Sequence, residues 1–177
     1  MGASLSIIIR HDFYELDDNE KSCQFVKNTI ERINNKLGTE ALCDERMPIG
    51  LYDEKYRWAN LAFEIPSYDV LVDLRRGYWS ITPGCHYCQV ACKVNGRMHI
   101  SDLSYNLARL FDQNEAWYCD EYIDDQCMMM TLDELIAEAT RQHGIAEYPY
   151  AEFMKHKGAS IPECRSFYHD AFEQRNK

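Results

Sequence analysis

The chain has 177 residues, enough for one ordinary domain that buries its own core without disulfide staples. An apolar share of 46% and an aromatic share of 12% exclude a disordered chain. A formal charge of −10 disfavours direct nucleic-acid binding, because a phosphate backbone would be repelled, and it favours a basic protein partner.

Met1-Gly2-Ala3-Ser4-Leu5-Ser6 fits the N-myristoylation pattern at Gly2 but also runs straight into a strand. Apart from that pattern the chain is expected not to engage a membrane. Ile7-Ile8-Ile9 is far too short for a signal peptide or a membrane span, so a cytoplasmic setting with mostly free thiols is expected. Leu5 to Arg10 is short, β-branched and built on the continuous run Ile7-Ile8-Ile9, which predicts a buried strand. Asp17, Asp18 and Asn19 offer cap oxygens and negative charge for a helix. That helix carries the stripe Cys23, Val26, Ile30, Ile33 and Leu37 and stops at Gly38.

Residues 39 to 54 read as a loop broken by Pro48 and Gly50. Leu61, Phe63 and Ile65 alternate as a strand does. Val70 to Leu74 and Tyr78 to Ile81 flank Arg75-Arg76-Gly77 as a hairpin, with a short helix ending at Gly77 as the competing reading. Cys88 to Val94 and Arg97 to Ile100 flank Asn95-Gly96, which suits a type I′ turn and predicts a second hairpin.

Ser101 or Asp102 then caps a helix on Leu103, Leu107, Leu110 and Phe111, and Ala116 to Tyr122 reads as a strand. Thr131-Leu132-Asp133-Glu134 is a capping box whose helix buries Leu132, Leu135, Ile136 and Ala139 and ends at Gly144. Ser160-Ile161-Pro162-Glu163 is another, launching a last helix on Cys164, Phe167, Tyr168, Ala171 and Phe172. The expected fold is α+β: one domain over 1–177, with a largely antiparallel sheet of about five strands packed against helices. Residues 145–177 form a helical C-terminal segment packed on it.

The densest chemical cluster is Cys85, His86, Cys88 and Cys92 after Pro83-Gly84. As a zinc site, these four have one Cys-x-x-Cys pair but lack the second that a structural site usually uses. As a redox site, Cys85 would be the nucleophile and Cys88 the resolving thiol, which calls for a helix just after the motif. As a hydrolase, Cys85 with His99 and Asp102 would supply thiolate, base and orienting group. The simpler account places Cys88, Val90, Cys92 and Val94 on one strand face as small core hydrophobes, with no cofactor.

The second cluster is acidic. Asp120, Glu121, Asp124 and Asp125 surround Tyr122, with Trp117 and Tyr118 just before them. Acids beside large aromatics suit a contact surface for a basic protein. Arg10-His11-Asp12 closes the first strand, where turn chemistry is the simplest role. Nucleotide-binding glycine loops, the serine-hydrolase elbow and the His-Glu-x-x-His motif are absent. The sequence thus points away from an enzyme and toward an acidic binding module, an inhibitor or immunity-type protein that masks a basic partner. A thiol- or zinc-dependent protein on Cys85 and Cys88 is the alternative.

Overall fold

A computed structural model describes residues 5–38, 52–53, 58–59, 61–84, 94–120, 129–144, 146–147 and 167–172. Strand β1 (Leu5–Arg10) leads into helix α1 (Asn19–Leu37). Two short strands, β2 (Tyr52–Asp53) and β3 (Trp58–Ala59), pair with each other as a small separate ladder. Next come β4 (Ala62–Ile65), β5 (Val70–Arg75), β6 (Tyr78–Pro83), helix α2 (Val94–Leu110) and β7 (Glu115–Asp120). Helix α3 (Leu132–His143), β8 (Ala146–Glu147) and β9 (Phe167–Ala171) complete the described elements.

The main sheet has the order β4-β5-β6-β1-β7-β9-β8. Neighbours from β4 to β9 are antiparallel, and β8 joins β9 in parallel. The α+β class and the antiparallel sheet are as the sequence predicts, though the sheet is wider than five strands. β1 sits between β6 and β7, with Ile7 opposite Ile81 on one side and Tyr118 on the other. The chain order β1-α1-β5-β6-α2-β7 with the spatial order β5-β6-β1-β7 is the split β-α-β, ferredoxin-like topology. β4 widens it at one edge, and β9 with β8 at the other.

Both faces of the sheet centre are covered. Leu5, Ile7 and Ile9 pack with Val26 and Ile33 of α1 and Leu107 and Ala108 of α2. Ile8 faces the other way, into a second cluster with Leu132, Leu135 and Ala139 of α3. That two-sided cover explains the unbroken apolar run of β1, since neither parity meets water.

Helix α1 begins and ends where its caps place it. Asp18 accepts a hydrogen bond from the Lys21 N–H at 3.0 Å, and Gly38 sits in the left-handed region at φ 65°. Its most buried line is Ser22, Val26, Thr29 and Ile33, a slight rotation from the apolar stripe, which leaves Cys23, Ile30 and Leu37 partly covered. Ser22 Oγ donates to the Glu15 carbonyl at 3.3 Å and Thr29 Oγ1 to the Phe25 carbonyl at 2.9 Å, so these buried hydroxyls stay bonded. Helix α3 carries the full capping box: Thr131 N–H donates to Glu134 Oε2 at 2.8 Å, and Glu134 N–H donates back to Thr131 Oγ1.

The hairpin around Arg76-Gly77 forms, with Arg75 opposite Tyr78, so residues 70–75 are strand and not helix. Gly77 has φ 81°, and a Cβ there would lie 2.6 Å from Tyr14 Cε1. Its N–H donates to the Phe13 carbonyl at 2.8 Å and its carbonyl accepts from His11 N–H at 3.0 Å. The tip of this hairpin is therefore bonded to the chain leaving β1.

Two expected elements are overturned. The hairpin at Asn95-Gly96 is absent: Val94–Leu110 is one helix, which starts well before Ser101. Ile100, Ser104, Leu107 and Phe111 follow at steps of three and four and are all buried, so burial of a long helical face overrides the local turn preference. The last helix does not extend over Phe167–Ala171 either, which is strand β9 paired with β7. Phe167 packs toward α3 while Tyr168 and Phe172 pack toward α1 and α2. A strand with apolar residues on both faces loses its period-two signature, so it reads like a helix face. The capping box at 160–163 lies outside the described residues.

Candidate functional site

A hollow lined by described residues lies where β1 gives way to the chain leading into α1. β1 ends at Arg10, and His11, held by its N–H on Gly77, turns its ring into the sheet face beneath α1. The ring meets Phe25 at 5.1 Å and Trp79 at 4.9 Å between centroids. Phe25 stacks in turn on Phe13 at 4.6 Å and on Trp79 at 5.4 Å. Above this aromatic layer is a pocket of about 390 Å³ bounded by Asp12, Tyr14, Arg32 and the Phe111-Asp112-Gln113 turn after α2. A more open hollow of about 580 Å³ adjoins it, sharing Asp112 and Gln113 and continuing past Lys36, Tyr68 and Arg109.

The electrostatics are fixed by burial and by a few short bonds. His11 is 9% exposed, and burial pushes its pKa down to about 4, against smaller opposing effects from the Tyr78 and Arg75 backbone and the Asp12 charge. Nδ1 accepts the Phe13 N–H at 3.0 Å, so the proton of the neutral ring sits on Nε2, which has no hydrogen-bond partner among the described residues. Lys36 Nζ donates to Asp112 Oδ1 at 2.5 Å and to the carbonyls of Arg109 and Leu110 at 3.1 and 3.0 Å. That one ammonium therefore closes the C-terminal end of α2 and neutralises Asp112.

On the opposite face, Arg10 donates to Asp133 at 2.9 Å and lies 5.6 Å over the Trp117 ring. His169 stacks on the same indole at 4.8 Å and contacts Glu115 at 3.0 Å through Nε2. In the core, Asp170 is buried and accepts from Ser101 Oγ and from Tyr118 O–H, the latter at 3.2 Å, tying α2, β7 and β9 together.

The residues picked from the sequence are distributed as follows. Trp117 and Tyr118 are 5% and 2% exposed and face opposite sides of the sheet, so they are core residues and not an exposed face. Asp120 ends β7, opposite Leu5 at the start of β1. Glu121, Tyr122, Asp124 and Asp125 lie outside the described residues. So do Cys85, His86, Cys88 and Cys92, and with them the expected strand face of Cys88 and Cys92. His99 and Asp102 are both exposed on α2, one turn apart. Among the described residues no group of three His, Cys, Asp or Glu side chains is placed to hold a metal ion. Also among them, no helix is long and apolar enough to cross a membrane.

The pocket at the end of β1 was not assembled from sequence. Arg10-His11-Asp12 gave the one usable signal, a charged triplet closing a buried strand. Phe25, Arg32, Trp79 and Asp112 come from three other elements with no common spacing. Compared with protein-family models, curated proteins and solved structures, the chain matches none. A shared topology does not carry a function, so any functional reading rests on the sites themselves.

Proposed function

We propose that this chain is an acidic protein-binding module that masks a basic partner, in the manner of an inhibitor or immunity-type protein. Its contact surface is centred on Asp120, Glu121, Tyr122, Asp124 and Asp125. The observation that carries this reading is that β7, next to the central strand, ends at Asp120 and leads directly into the acidic run of a chain with formal charge −10. A rigid, doubly covered sheet is a firm base for such a segment, and concentrated negative charge speeds encounter with a basic surface. Trp117 and Tyr118, being buried, anchor β7 in the sheet, and Tyr122 is left as the aromatic of the surface.

The test uses basic proteins encoded beside this chain as candidate partners, with association followed at low and high salt. Reversing Asp120, Glu121, Asp124 and Asp125 to lysine should slow association by about tenfold or more and flatten its salt dependence. Unchanged affinity in that variant would refute the surface, and the absence of any basic partner would refute the module.

One observation favours a second reading. With α2 starting at Val94, Cys85-x-x-Cys88 stands in sequence between a strand, β6, and a helix, the order a redox or thiolate site calls for. Stoichiometric zinc, or a Cys85 thiol with a markedly low pKa in alkylation kinetics, would support it over the binding module.

A further inference from the structure

The pocket at the end of β1 can be audited one ionisable group at a time. Arg10 is engaged on the opposite face by Asp133 and Trp117. His11 is neutral near pH 7, because burial holds it at about 4. Asp112 is matched by Lys36, whose three donors are all in use. Two opposite charges remain open. Asp12 is exposed and has no hydrogen-bond or ion-pair partner among the described residues. Arg32, with its side chain 47% exposed, has among the described residues only a 3.7 Å contact to the already matched Asp112.

The same pocket is lined by three aromatic side chains, Phe25, Trp79 and Phe111. Tyr14 stands at the mouth, 45% exposed, and only Met129 shares that degree of exposure among the large hydrophobic side chains described. A volume of about 390 Å³ is in the range of small-molecule sites.

We propose that this pocket binds a small zwitterion with an apolar body, an amino acid bearing an aromatic or large aliphatic side chain. The Asp12 carboxylate receives the ammonium. The Arg32 fork receives the carboxylate, a geometry guanidinium matches with two parallel bonds. The aromatic wall receives the side chain. A singly charged ligand would leave one of the two protein charges shielded from water and unmatched, which costs affinity, whereas a zwitterion satisfies both. The site lies at the end of β1 away from Asp120, so it stands or falls independently of the partner surface.

Three ligands that share a phenylethyl unit test it: L-phenylalanine, 3-phenylpropanoate and 2-phenylethylammonium, each titrated into the full chain by amide-resolved NMR. Phenylalanine should shift signals of His11, Tyr14, Phe25 and Gln113 and bind about fivefold or more tighter than either singly charged analogue. Asp12→Asn should bring phenylalanine down to the level of 3-phenylpropanoate. Arg32→Gln should bring it down to the level of 2-phenylethylammonium. Both positions are exposed, so both variants should keep the native amide spectrum elsewhere. The proposal is overturned if phenylalanine binds no tighter than the better analogue. It is equally overturned if the shifts fall outside the pocket, or if none is seen at about 20 mM ligand, a concentration that would reveal even millimolar affinity.

Discussion

Lowering the pH should weaken this fold through His11 in a way that one substitution can isolate. Burial among Phe25 and Trp79 holds the folded-state pKa at about 4, against an ordinary 6.5. Below 6.5 the unfolded chain takes up a proton there that the folded chain refuses, so stability falls as pH drops toward 4 and levels off below it. At about 1.4 kcal/mol per unit, the full effect is about 3 kcal/mol, a large part of the stability of an ordinary domain. Urea unfolding of the native chain and of His11→Asn, at pH values between about 7 and about 4.5, measures it. The Asn Oδ1 can accept the Phe13 N–H that Nδ1 now accepts. The variant loses ring packing at every pH, but it cannot titrate. The carboxylates of Asp18, Glu134 and Glu138 are held low by hydrogen bonds from Lys21 N–H, Thr131 N–H and Arg141, so they too lose stabilising contacts in acid. They do so equally in both proteins and cancel in the difference. The native chain should therefore lose about 2–3 kcal/mol more than the variant across that window. Parallel pH profiles, or a His11 ring signal titrating near its ordinary value, would refute the burial argument.

Gly77→Ala should destabilise by about 1–3 kcal/mol, because φ is 81° and the new Cβ would strike the Tyr14 ring. Gly38→Ala has a similar φ of 65° but nothing within 4 Å, so it should cost about 1 kcal/mol, and equal losses in chemical denaturation would remove the role given to Tyr14. Ser101→Ala should cost about 1–3 kcal/mol by stripping a donor from buried Asp170, and a calorimetric melt unchanged from native would show that bond to be immaterial. Thr131→Ala removes the reciprocal cap of α3 and should cost about 1 kcal/mol, with early loss of amide protection confined to that helix.

Local rules made the ends of α1 and α3 legible, because Asp18, Gly38, Thr131 and Glu134 act on backbone groups within four residues of themselves. β1 was legible for a different reason: three consecutive isoleucines, Ile7 to Ile9, make sense only where both faces are covered. The stretch from Val94 was misread because Asn95-Gly96 is a strong two-residue signal, while the competing signal is spread from Ile100 to Phe111 and acts only once a sheet is there to cover it. Phe167 to Phe172 failed because two-sided burial erases the alternation that marks a strand. The same logic removed Trp117 and Tyr118 from the expected surface. Aromatics beside acids look like contact anchors in a linear reading, yet the strand pleat sends one ring under α3 and the other toward α2. The pocket was illegible because its open charges, Asp12 and Arg32, become notable only after Lys36 and Asp133 are seen to have neutralised the others.

The central place of β1 also dictates when this molecule can become itself. Its partner strands are made late: β6 arrives near the middle of the chain, and β7, which seats Asp120 against Leu5, only about two thirds of the way along. Until then the most apolar strand has no flank on at least one side and exposes a hydrogen-bonding edge of isoleucines to the cell. Pairings this distant in sequence form slowly and resist piecewise assembly on the ribosome. Nascent chains stopped before β7 should thus be the species that chaperones hold and that aggregate when released.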